Sequence, residues 1–116
     1  MGRLERVDRD NWRDFVAAPL AVLMLGKSDC AVCAAWTEEL EAFLGQDTEF
    51  TTARFGKMLL DEGGLVDFKR ANPWLAEVDV LPFNQIWVNG ERSKSFAGSG
   101  VDRLVPRLRG LVGDSG

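Results

Sequence analysis

The 116-residue chain has no histidine and only two cysteines, Cys30 and Cys33. Zinc and iron–sulfur sites normally take four such ligands, so a metal would have to recruit carboxylates or be shared between two chains, and none is expected. No stretch approaches the ~20 apolar residues needed to span a bilayer. The segment from Met1 to Asp10 is charged and lacks the apolar core of a secretory signal. An excess of positive charge is missing too: 14 basic against 18 acidic residues give a net charge of −4, which argues against nucleic acid as the main partner and against acidic substrates. Internal repeats and low-complexity linkers are also absent. These absences leave a single globular domain over residues 1–116, without a membrane partner, expected to be monomeric. The simplest setting is cytoplasmic, or that of a mature form whose signal was removed. The length suffices to bury a core without disulfide staples.

What is present is organised around Gly26-Lys27-Ser28-Asp29-Cys30-Ala31-Val32-Cys33. Leu20 to Leu25 is a continuous apolar run of strand length, as expected for a strand covered on both faces. Downstream, Ala34, Leu40, Phe43 and Leu44 recur at helical spacing, with Glu38, Glu39 and Glu41 left to water. Ser28 or Asp29 is the expected N-cap. Cys30 would then lie in the first helical turn, where free N–H groups and the dipole favour a thiolate, with Cys33 one turn on. Two thiols so spaced can close into a disulfide and reopen under attack by an outside thiol. In a reducing compartment such a pair near strand and helix patterns is more often catalytic than structural.

Elsewhere the pattern predicts a short edge strand at Leu4–Val7. A helix follows, capped by Asp8 or Asp10 and carrying Trp12, Phe15 and Val16; Pro19 bars its continuation. The helix of the two cysteines should run from about Cys30 to Leu44 and stop at Gly45. Thr51 to Leu60 reads as a strand and Asp61-Glu62-Gly63-Gly64 as its break. A helical stretch begins at Leu65 and runs to about Ala71, with a further turn from Pro73. Phe83–Val88 and Arg92–Phe96, joined by Asn89-Gly90, form an antiparallel hairpin. Val101, Leu104, Val105, Leu108 and Leu111 define a closing helix, followed by a frayed Gly113–Gly116. Alternating strands and helices imply an α/β fold with parallel pairing, to which the hairpin adds an antiparallel edge.

Cys30-Ala31-Val32-Cys33 at a strand-to-helix junction, Leu81-Pro82 before the hairpin, Asn89-Gly90 in its turn and Gly98 before the last helix together resemble the thioredoxin superfamily over essentially the whole chain. The resemblance implies a mixed sheet of about five strands with helices on both faces. It also implies a protein-disulfide oxidoreductase in which Cys30 is the nucleophile and the more buried Cys33 resolves the mixed disulfide. Pro82 would match the family's cis-proline, with the backbone of Leu81 exposed for strand-like pairing with a substrate peptide. Protein disulfides would be the substrates. No bound organic cofactor is implied, and electrons would come from a thioredoxin reductase or a small thiol.

The departures from the family pattern matter as much. Asp29 replaces a tryptophan beside the first cysteine, and its charge opposes a Cys30 thiolate. Ala31-Val32 replaces Gly-Pro. Met24 occupies the place of a buried carboxylate, leaving Lys57, which matches that acid's lysine partner, alone. Glu38 replaces a helix-kinking proline and Phe83 a threonine. Asp29 and Lys57 are therefore candidate modulators of the thiols. The tryptophans are expected to serve packing, with Trp74 the one that could approach the dithiol. Two readings stay open: a disulfide reductase, or a binding or chaperone-like module of the same fold with little turnover.

Overall fold

The computed structural model describes residues 3–114. Ten elements follow one another: β1 (Leu4–Arg6), α1 (Trp12–Val16), β2 (Leu20–Gly26), α2 (Ala31–Gln46), β3 (Arg54–Leu59), α3 (Val66–Ala71), a 3₁₀ turn at Pro73–Glu77, β4 (Phe83–Val88), β5 (Glu91–Ala97) and α4 (Val101–Asp114). The strands form one five-stranded sheet in the order β1-β3-β2-β4-β5. β1, β3 and β2 are parallel, whereas β4 and β5 are antiparallel to their neighbours.

β2 lies at the centre because it is apolar on both faces, and from Ala21 to Gly26 it is buried throughout. Its alternation divides the core. Val22 and Met24 pack with Cys33, Trp36, Leu40 and Leu44 of α2 and with Leu104 and Leu108 of α4. Ala21, Leu23 and Leu25 face α1 and α3, among Phe15, Met58, Phe68 and Trp87. At ~1.5–3 kcal/mol for each large apolar side chain fully buried, these two clusters dominate the folding energy.

The order of elements follows the sequence pattern, but one direction does not. Pairing of β4 antiparallel to β2 extends the antiparallel part into the middle of the sheet. The segment through α3 and the 3₁₀ turn returns the chain to the C-terminal end of β2, so Phe83 pairs with Leu25. That reversal sets Pro82 beside the loop carrying the cysteines.

Several boundaries also move, each for a local reason. The N-cap of α1 is Asn11, with no side-chain bond into the helix; its amide turns back to Asp8 N and Arg6 O. α2 continues through Gly45, which crowds nothing, and ends at Gln46, followed by the C-cap Asp47, whose carboxylate accepts from Glu49 N and Phe50 N. Its buried face is Cys33, Trp36, Leu40 and Leu44, while Ala34 is exposed. β3 begins at Arg54, after an exposed turn at Thr51 and Thr52. In the hairpin Asn89 and Gly90 both take positive φ, 52° and 84°, the pair of left-handed residues a two-residue hairpin turn needs. α4 extends to Asp114; the end of the predicted frayed tail, Ser115 and Gly116, lies outside the described residues. No described helix is long and apolar enough to cross a membrane.

Candidate functional site

Cys30 and Cys33 are joined as a disulfide, with Cα atoms 5.2 Å apart. Cys30 is itself the N-cap of α2, where Ser28 or Asp29 was expected. Its Sγ accepts from Cys33 N at 3.1 Å, taking the place of a side-chain oxygen. The sulfur thus sits at the helix end where unpaired N–H groups and the positive dipole end stabilise negative charge. Cys30 is half-buried and Cys33 only 1% exposed, so an outside thiol or disulfide reaches the first sulfur before the second. Ala31 and Val32, between them, are open to solvent.

The loop leading to Cys30 is held from below. Cys30 N donates to Lys27 O at 3.3 Å. Ser28 N donates to both carboxylate oxygens of Asp61, at 3.2 and 3.3 Å, and Ser28 Oγ donates to Asp61 Oδ2. The Ser28 hydroxyl holds the Asp61 carboxyl below the usual carboxylate range, helped by the Ser28 N–H and by Lys27. A cleft of about 680 Å³ opens beside this latch, lined by Lys27, Leu60, Asp61, Lys69 and Leu75 among others. Neither Ser28 nor Asp61 shows its pairing in the sequence, since they lie 33 residues apart.

The Leu81–Pro82 peptide bond is cis. Pro82 is buried and Leu81 half-buried; Leu81 and Cys30 both pack against the cluster that holds Cys33. Among the described residues the backbone of Leu81 makes no hydrogen bond, which leaves a free donor and acceptor beside the disulfide. Gly98, with φ of +90°, donates its N–H to Pro82 O at 2.7 Å.

Met24 is fully buried and lies under Cys33. A Cβ on Gly26 would stand 3.1 Å from Cys33 Sγ and 3.7 Å from Met24 Sδ. Lys57 is the register partner of Met24 on β3, on the same sheet face and one strand further out. It is half-buried and, among the described residues, its ammonium makes no ion pair or hydrogen bond. A groove of about 270 Å³ runs past it, lined also by Leu4, Thr37, Glu41 and Glu62. Thr37 donates to Cys33 O at 2.8 Å. Asp29 is exposed in the loop before Cys30.

Trp74 belongs to the opposite face of the sheet, packed with Phe83 and Trp87 and covered by Arg92 at 4.0 Å. Its indole donates to Asn72, so it faces away from the cysteine cluster. Trp12, Trp36 and Trp87 are core residues. Among the described residues no group of three or more Cys, Asp or Glu side chains converges as a metal site.

No protein-family model and no curated protein sequence matches the chain. Solved structures do match over nearly its whole length. Malassezia sympodialis thioredoxin (Mala s 13) is 13% identical with a TM-score of 0.75, the match covering 95% of this chain and 91% of that one. Thioredoxin f2 of Chlamydomonas reinhardtii is 22% identical at a TM-score of 0.73, covering 93% and 95%. The short form of spinach chloroplast thioredoxin F is 18% identical at 0.75, covering 94% and 93%. A further match, 16% identical at 0.72 and covering 93% and 94%, comes from a complex of ferredoxin:thioredoxin reductase and thioredoxin f2. The chain has the thioredoxin fold.

Proposed function

We propose that this thioredoxin-fold chain is a thiol–disulfide oxidoreductase that reduces protein disulfides through Cys30 and Cys33. The observation that carries the reading is the asymmetric pair at the start of α2: one half-buried sulfur at the N-cap and one buried sulfur already bonded to it. In the reduced form the Cys30 thiolate attacks one sulfur of a substrate disulfide, breaking that bond and expelling a substrate thiolate. The Cys33 thiolate then attacks Cys30 Sγ, closing the intramolecular disulfide and releasing the second substrate thiolate. Two electrons pass to the substrate, and the two protons given up by the protein thiols end on the product thiols. Leu81, with its free backbone groups, offers an edge on which an extended peptide can pair.

Regeneration needs an outside dithiol, small thiol or reductase. The similar thioredoxin f2 seen in a complex with ferredoxin:thioredoxin reductase supports a reductase as that source. The reduction potential of the Cys30–Cys33 couple, measured by equilibration in glutathione or dithiothreitol buffers with alkylation of free thiols, tests the reading. A value near ~−270 mV marks a reductant suited to a cytoplasmic setting, and one near ~−120 mV an oxidant. Failure of the disulfide to form anywhere in the accessible range would leave the second reading, a binding module. That reading draws on two exposed valines, 55% and 50% accessible: Val32 between the cysteines, and Val80 directly before the Leu81–Pro82 edge.

A further inference from the structure

Asn84 is an uncommon residue for the middle of a buried strand, where asparagine is disfavoured and an unpaired amide is costly. It is 1% exposed and every polar group on it is engaged. Oδ1 accepts from Trp36 Nε1 at 2.8 Å. Nδ2 donates to Gly98 O at 2.9 Å and to Phe96 O at 3.2 Å. With two carbonyls on one side and an indole N–H on the other, the amide has a single orientation that satisfies all three.

The partners tie together the two halves of the candidate site. Trp36 lies one turn beyond Cys33 on α2 and is 1% exposed. Gly98, which accepts from Asn84, donates in turn to Pro82 O. Asn84 itself is two residues past Pro82 and is the register partner of Met24, the side chain under Cys33. Among the described residues, Trp36 to Asn84 is the only side-chain hydrogen bond between α2 and the sheet. The contacts by which α2 packs on the sheet in this cluster are apolar and non-directional, whereas a buried hydrogen bond fixes both a distance and an angle.

We propose that Asn84 is a positioning residue: by joining Trp36 to the Gly98–Pro82 segment it holds the cysteine end of α2 in fixed placement relative to the Leu81–Pro82 edge. The proposal rests on the oxidoreductase reading. A peptide paired on that edge would meet Cys30 Sγ only if both halves keep their spacing. A small disulfide that needs no edge would react with Cys30 regardless.

The test compares two substrates, a cystine-bridged peptide and 5,5′-dithiobis(2-nitrobenzoate), for the wild type, Asn84→Leu, Trp36→Phe and the double variant. Misplacement of this kind predicts about a tenfold loss of kcat/KM on the peptide, carried by KM, with less than about twofold on the aromatic disulfide. The double variant should lose no more than the worse single one, because both remove the same bond. Trp36→Phe keeps an aromatic ring in the core and serves if Asn84→Leu does not fold. Equal losses on the two substrates, or none, would overturn the positioning role while leaving the oxidoreductase reading intact. A wild type that turns over neither substrate would overturn both.

Discussion

Met24 Sδ and Cys33 Sγ converge on the backbone of Gly26, at 3.7 and 3.1 Å from where a Cβ on that glycine would stand. The Cys33 sulfur therefore has a bare backbone and an apolar cluster that includes the Met24 thioether around it, with no proton acceptor from Met24.

Gly26→Ala should crowd this contact. A methyl 3.1 Å from both Cβ and Sγ of Cys33 obliges a buried helix turn to give way, and overpacking of this kind costs about 1–3 kcal/mol. Denaturant unfolding of the oxidised protein should show the loss, with the m-value unchanged.

Met24→Asp would place a carboxylate under Cys33. A buried acid without a partner should destabilise the fold by roughly 3 kcal/mol. In exchange, the acid offers a base for the Cys33 proton, so release of the mixed disulfide should accelerate, by about tenfold or more if general-base assistance operates. Stopped-flow reduction of a model disulfide separates the two effects, and a resolving step unchanged or slower than wild type would count against the idea.

Lys57→Met removes the ammonium next to Met24 on the dithiol face. A cation near the sulfurs favours thiolates, so the variant should need higher pH to ionise its cysteines and should hold its dithiol less readily as thiolate. Absorbance of the reduced protein near 240 nm against pH is the measurement; an unaltered titration would show that Lys57 is too distant to matter.

The Ser28–Asp61 latch should make stability depend on pH in one direction. Hydrogen bonding from Ser28 lowers the Asp61 pKa in the folded protein. The contribution is thus fully present above the unfolded carboxyl value of ~3.9 and is lost as pH falls through the lower folded value. Unfolding midpoints measured between about pH 5 and pH 2 should fall less steeply in Asp61→Asn than in the wild type. Parallel curves would mean that the latch contributes nothing.

Much of this protein was legible in its sequence because it is written in local preferences. The paired cysteines at the end of an apolar strand, the Asn89-Gly90 turn with its two left-handed residues, and the proline ahead of β4 each depend on a few adjacent side chains. The buried face of α2 was harder. Helical spacing grouped Ala34 with Leu40, Phe43 and Leu44, and only contact with the sheet decides that Cys33 and Trp36 are covered in place of Ala34. Trp36 gave a packing signal and no hint of a hydrogen-bond partner.

Backbone preferences and hydrophobic period, acting over a turn or two, were enough to set the elements, their order and the dithiol. The tertiary structure alone decided that β4 runs against β2 and so brings Pro82 to the cysteine loop. It also decided that Asp61 meets Ser28 and that Asn84 meets Trp36 from 48 residues away. Such pairings are settled by which polar groups remain unsatisfied once the core is packed, a condition of the whole chain that no single stretch of it contains.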